Sequence, residues 1–193
     1  MVRLLSCIAL TLSLTGCAQT LDHSRAKSDS YIGMELELES GQADYDELLN
    51  LELEALTAMG YEVEITPGKE RAITFYSTII LPEDFAQRTD LNKLILIRHE
   101  RVHAEQWRGM GVLVFGIAYA QERDRWALEM QGYRRMIRDR VSAGQDDAEI
   151  KAWIKALAKK FPKSYDISPK LSAEVSRATK QILLEELDFA RTL

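Results

Sequence analysis

The chain has 193 residues, 46% of them hydrophobic and 28% charged, with a formal net charge of −5. That length suits one domain with a sizeable core, and the composition is that of a globular protein rather than a disordered or fibrous one. The acidic balance disfavours nucleic acid as a partner.

The N-terminus reads as a targeting segment. Met1-Val2-Arg3 is a short basic region, and Leu4 to Leu14 is an apolar run. The run is too short to cross a bilayer as a stable helix, so residues 1–16 are expected to be a secretory signal peptide. It ends in Leu14-Thr15-Gly16-Cys17. These four residues resemble the lipobox of bacterial lipoproteins. The resemblance implies cleavage before Cys17, lipid attachment to Cys17, and a protein held in the bacterial cell envelope by its acyl chains. With alanine at position 18, it also implies the periplasmic side of the outer membrane if the host has two membranes. Cleavage there removes Cys7, the other of the two cysteines, so no disulfide is expected.

Ala18 to Ser30 is polar, and residues 17–30 are read as a flexible tether. Residues 31–193 are then the folded domain. In Tyr31 to Glu39, Met34, Leu36 and Leu38 alternate with glutamates, a pattern that fits a short edge strand or the lead-in to a helix. Asp44 is placed as an acidic N-cap, with Glu47 three residues on, for a helix whose apolar face runs from Leu48 to Met59 and stops at Gly60. Tyr61 to Thr66 alternates strictly and predicts a strand. Pro67-Gly68-Lys69 predicts a turn. Ala72 to Leu81 is rich in β-branched and aromatic residues and ends at Pro82. Together these predict a β-hairpin.

Thr89 or Asp90 caps the next helix. Leu91, Leu94 and Ile95 give it an apolar first half. The second half carries His99-Glu100-Arg101-Val102-His103, the H-E-x-x-H spacing, in a chain with only three histidines. On a helix, positions i and i+4 stack on one face, so both imidazoles can reach one ion about 2 Å away. Glu100 lies about 100° round from His99. Its carboxylate then stays beside the ion without being a ligand, placed to act as a general base on water.

Met110 to Ala120 is strongly apolar and too short for a membrane span; it reads as buried core, with a dip into the lipid surface as the alternative. Gln121 to Arg140 is a charged helix, with Arg134, Arg135, Arg138 and Arg140 most simply a solvated face. Asp146 to Phe161, ended by Pro162, and Ser168 to about Arg191 are two further helices, read as scaffold.

A catalytic zinc has three protein ligands and one open position. No histidine follows His103, so the third ligand must be a carboxylate. The candidates are Glu122, Asp124 and Glu129. Glu129 is preferred because Gly132, one turn on, lets a second helix approach the first closely.

His99-Glu-x-x-His103 followed by Glu129-x-x-Gly132-Tyr133 resembles the gluzincin type of zinc metallopeptidase, with glycine where that type carries alanine. Arg98 and Gln106-Trp107 around the motif are similar to small zincin-like domains of bacterial secreted proteins. The resemblance covers roughly residues 73–138. It implies an α+β, mainly α fold: a zincin-like core with a hairpin before the motif helix, plus C-terminal scaffold helices. It further implies a zinc ion (Zn²⁺) on His99, His103 and Glu129, Glu100 as catalytic base, and a peptide or protein substrate. Tyr119 and Tyr133 are the candidates for an oxyanion or substrate contact. Two other expectations remain: a peptidoglycan amide hydrolase with the same centre, and a non-catalytic envelope lipoprotein that uses the domain as an interaction module.

Overall fold

One long helix, Asp90–Met110, lies between the strand-bearing half of the molecule and its C-terminal helices. The described residues of the computed structural model are 21–30 and 44–193. Residues 1–16, read as a signal peptide, the Leu14–Cys17 tetrad and the Tyr31–Glu39 segment lie outside them. In chain order come α1 (His23–Ala26), α2 (Tyr45–Ala58), β1 (Glu62–Ile65), β2 (Ile73–Phe75) and β3 (Thr78–Leu81). A 3₁₀ turn (Glu83–Gln87) leads into α3 (Asp90–Met110), α4 (Val112–Ala120), α5 (Glu122–Ser142), α6 (Asp147–Ser164) and α7 (Pro169–Ala190). The fold is α+β and mainly α, as expected.

The helix starts are set by their caps. Asp44 accepts from the backbone N–H groups of Asp46 and Glu47, Thr89 from Asn92, and Asp146 from Ala148 and Glu149. At the end of α3, Gly111 has φ 76°, a conformation that a side chain would oppose. The chain turns there into α4 and returns as α5 along α3. Pro162 lies inside α6, which continues to Ser164 rather than stopping at Phe161. The α6–α7 pair packs on the far side of α5, around Trp126, Phe161, Val175 and Ile182. α2 and the sheet cover the other side of α3, around Leu56, Ile79, Leu81 and Ile97.

Four further expectations are corrected. The hairpin is not formed by Tyr61–Thr66 against Ala72–Leu81. The second stretch is itself the hairpin, folded between Phe75 and Thr78, and Tyr76 takes φ 55° in the turn. β1 pairs with β3 in parallel, giving the order β1-β3-β2. No Gly, Asn or Pro marks the Tyr76-Ser77 turn, so the apolar run reads as one strand.

The tether reading fails over Leu21 to Ser30. Leu21 and Ala26 are buried against α5, and Arg25 pairs with Asp124 at 3.3 Å.

The arginines of α5 are not a solvated face. Arg134 and Arg135 are buried. Arg134 and Arg138 both reach Glu186 of α7, at 2.5 Å each, and Asp29. Their acids come from distant parts of the chain, which no local pattern reveals.

Finally, α4 is not buried core. Phe115 and Ala118 are covered, but Val112, Leu113, Val114 and Ile117 are 53–75% exposed.

Candidate metal centre

α3 is apolar and buried in its first half through Leu94, Ile95 and Ile97. Its second half is also buried, yet polar: Arg98, His99, Glu100, His103 and Gln106. Burying so many polar groups is costly unless each is paired, and among these side chains only His99 Nδ1 is buried without a hydrogen-bond partner. Arg98 donates to Glu52 of α2 and to Asp139 of α5, both at 2.8 Å, so one guanidinium ties three helices together beside the motif. Arg101 joins the same Glu52 at 2.6 Å.

The helical i,i+4 spacing brings His99 Nε2 and His103 Nε2 to 3.1 Å of each other. Glu129, one helix away on α5, points its Oε2 at both, 3.5 Å from His99 Nε2 and 3.4 Å from His103 Nε2. Tetrahedral ligands about 2.0–2.1 Å from a zinc ion stand about 3.3 Å from one another. Three donor atoms at 3.1–3.5 Å therefore match the edges of such a shell. Glu129 Oε2 is buried and has no hydrogen-bond partner. An orphaned buried carboxylate oxygen between two imidazole nitrogens fits a cation shared by the three. This buried His99–His103–Glu129 group can hold a metal ion.

The surroundings fix each ligand. Gln106 Nε2 donates to Leu128 O at 3.1 Å and Gln131 Oε1 at 3.0 Å, so its own Oε1 is turned toward His103 Nδ1, at 2.8 Å. That nitrogen must then carry the proton, which leaves Nε2 as the free lone pair for a metal. Gln131 in turn donates to Arg25 O at 2.7 Å. His99 packs edge-on against Tyr133, ring centroids 4.7 Å apart. Tyr119 donates its hydroxyl to Glu129 Oε1 at 2.7 Å.

The electrostatics follow from this packing. Burial works to keep His103 neutral, but the Glu129 carboxylate beside it outweighs burial and pushes the imidazole up to about 9. Glu129 is opposed by its own burial, yet the two imidazoles beside it, His103 above all, hold it well below the usual carboxylate range. Burial, then the Glu129 charge, raises Tyr119, Tyr133 and Tyr165 above the ordinary tyrosine value. All three remain neutral hydroxyls.

Glu100 is buried but stands outside the ligand group. Its Oε2 accepts from Thr74 Oγ1 of the edge strand β2 at 2.8 Å. Glu100, His99, His103 and Glu129 line a cleft of about 360 Å³ whose walls include Thr74, Phe75, Trp107, Phe115 and Tyr119. A larger, more open depression of about 760 Å³, between residues 21–24 and the start of α5, is lined by none of these donors.

Among the residues singled out from the sequence, His99, His103 and Glu129 converge, and Glu100 lies beside them in the cleft. The other two carboxylates weighed as ligands have different work. Glu122 accepts from the backbone and side chain of Ser168, at 3.0 and 2.9 Å, at the start of α7. Asp124 pairs with Arg25. Tyr119 lines the cleft, but its proton goes to Glu129. Tyr133 backs His99 and shares a 2.8 Å hydrogen bond with Tyr165, and it is Tyr165 that reaches the cleft. Tyr165 follows α6, between the two helices read as scaffold, where no site residue was expected. Thr74 and Gln131 also escaped the sequence reading, and Gln106 was named there only for its likeness, without a role at the site. Gln106 had a signal, one turn beyond His103 on the motif face. Comparison with models of known protein families, with curated proteins and with solved structures yields no match for this chain.

Proposed function

We propose that the chain is a zinc-dependent peptidase, held in the bacterial cell envelope by lipid on Cys17, that hydrolyses peptide bonds. The observation that carries this is the meeting of two imidazole nitrogens and the orphaned Glu129 Oε2, 3.1–3.5 Å from one another, with a fourth buried side chain, Glu100, beside them but not among them. Two imidazoles and a carboxylate form the donor set of hydrolytic zinc sites with one open position. His99, His103 and Glu129 would hold the ion. When bound, zinc at such a site polarises a carbonyl and acidifies water.

The protein's own groups then have distinct tasks. The Thr74 hydrogen bond to Glu100 Oε2 orients that carboxylate and leaves Oε1 to accept a proton from water and pass it to the leaving amine. Tyr119 keeps Glu129 in place. If Tyr133 donates to Tyr165, the Tyr165 hydroxyl proton is free to point into the cleft, toward the oxygen that gains charge as the amide is attacked. The edge strand β2 lines the same cleft, beside which an extended peptide backbone can lie.

The test is E100Q, assayed for zinc content and for cleavage of a peptide library. Zinc is expected to stay stoichiometric and turnover to fall by about 10²–10⁴-fold. Wild-type turnover by E100Q would remove Glu100 from the chemistry. A wild-type protein that binds no zinc would remove the whole reading.

A further inference from the structure

We propose that the exposed face of α4 is seated in the surface of a phospholipid bilayer. The proposal rests on the lipid anchor at Cys17 and not on the peptidase reading.

Thirteen consecutive residues, Gly109 to Gln121, carry no charge. One side of the helix they form is occupied: Phe115 stacks on Trp107 with centroids 4.4 Å apart, and Phe115 and Ala118 pack with Leu128. The opposite side presents Val112, Leu113, Val114 and Ile117, 53%, 75%, 55% and 55% exposed. A soluble surface rarely shows aliphatic side chains contiguously, and such a patch marks a contact with protein or lipid.

The N-terminal chain selects lipid as the occupant. α1 is docked at both ends of α4. Arg25 reaches Met110 Sδ, at the end of α3, at 3.4 Å and Asp124, at the start of α5, at 3.3 Å. Leu21 is buried beside them, and with Gln121 it lines the depression at the far end of α4. Cys17 precedes Leu21 by four residues, a reach of at most about 14 Å. An acyl group on Cys17 therefore meets the membrane within one short span of α4. The helix has nine residues, about 13 Å, far short of a bilayer's depth. No described helix is long and apolar enough to cross a membrane. α4 would lie along the interface with its uncharged face down, as in-plane helices do.

The experiment uses the full chain as matured in a bacterial host. Cys7 leaves with the signal peptide and Cys17 is acylated, so Leu113→Cys or Ile117→Cys supplies the one free thiol. Lys159→Cys, exposed on α6, is the control. Each is labelled with an environment-sensitive fluorophore and reconstituted into vesicles of phosphatidylethanolamine and phosphatidylglycerol that contain a nitroxide-bearing lipid. Quenching about threefold or more above the control is expected at positions 113 and 117 in protein that floats with the vesicles. Floating protein whose 113 and 117 probes are quenched no more than the control overturns the proposal. So does shielding of those probes in lipid-free protein that grows with protein concentration, since a second copy then covers α4. A chain that does not float at all fails the anchor reading, and this one with it. Zinc content and peptidase activity are measured on the same samples and can fail independently.

Discussion

Gly132 on α5 and His99 on α3 approach so closely that a methyl group on the glycine would stand 2.7 Å from imidazole Nδ1 and Cε1. The missing side chain is what allows the two helices to bring Glu129 to the histidines. In a helix, Gly→Ala ordinarily stabilises by up to about 1 kcal/mol. Here the clash meets a ring packed between Tyr133 and His103 rather than the free end of a flexible chain. Overpacking of this kind costs about 1–3 kcal/mol. Gly132→Ala should therefore lower both stability, by urea titration, and metal affinity, by chelator competition. Unchanged affinity would mean that His99 is not a ligand in this position.

Gln106 tests the support of the metal centre without touching a ligand. Its Oε1 holds His103 Nδ1–H, and its own amide is fixed by Leu128 O and Gln131. Removing such a support typically costs 10–100-fold in metal affinity. Gln106→Ala should fall in that range, while the metal-loaded fraction keeps its turnover. Wild-type affinity would show that the hydrogen bond does not set the tautomer of His103.

Tyr165 separates binding from chemistry. Tyr165→Phe keeps the ring, its stacking on Phe161 at 4.3 Å and the cleft wall, and removes only the hydroxyl. Loss of one donor to a developing oxyanion costs about 10²–10³ in kcat. The expected result is such a loss with KM little changed and zinc content intact. A change in KM alone would make Tyr165 a substrate contact.

The His103–Glu129 pair gives the metal-free protein a defined pH response. A histidine raised from 6.5 to about 9 stabilises the fold fully below about pH 6.5, and that stability is lost as pH rises through about 9. A carboxylate lowered from 4.5 contributes fully above about pH 4.5 and loses its effect as pH falls through its folded value. The pair therefore favours folding most between about pH 4.5 and 6.5. With chelator present, Tm should decline from pH 6.5 to 9, and His103→Ala should flatten that decline. Metal must displace the His103 proton, so binding at neutral pH should release protons and strengthen as pH rises. A Tm independent of pH in the wild type would contradict the coupling.

Glu52 is the test of the buried ionic framework. It is almost fully buried and serves both Arg98 and Arg101. Removing one partner of such a pair costs about 3–5 kcal/mol, because the other charge is left buried. Glu52→Ala should lose stability in that range, measured by urea titration with metal bound, though it lies on neither metal-bearing face. Stability equal to the wild type would show that Asp139 alone suffices for Arg98.

The parts of this architecture that were readable from sequence are those written locally. The helical spacing of His99 and His103, the caps Asp44, Thr89 and Asp146, and the glycine beside Glu129 each follow from neighbours within a turn or two. What was not readable depends on distant partners. Arg134 and Arg138 look like solvated charges until Glu186 and Asp29 are brought to them. Tyr165 enters the cleft only because α6 packs on α5. The Tyr76-Ser77 turn carries no residue that announces a reversal, so two strands read as one. The apolarity of α4 was plain, but sequence does not say which of its faces a neighbour covers.

The N-terminal segment is joined to the metal centre by a very short relay. The backbone oxygen of Arg25 receives Gln131, Gln131 receives Gln106, and Gln106 holds His103. Leu21 and Ala26, packed on the same helix that carries Glu129, hold the start of this relay in place. The segment before α2 is thus part of the support of His103, and undocking it would free Gln131 and, through Gln106, the imidazole.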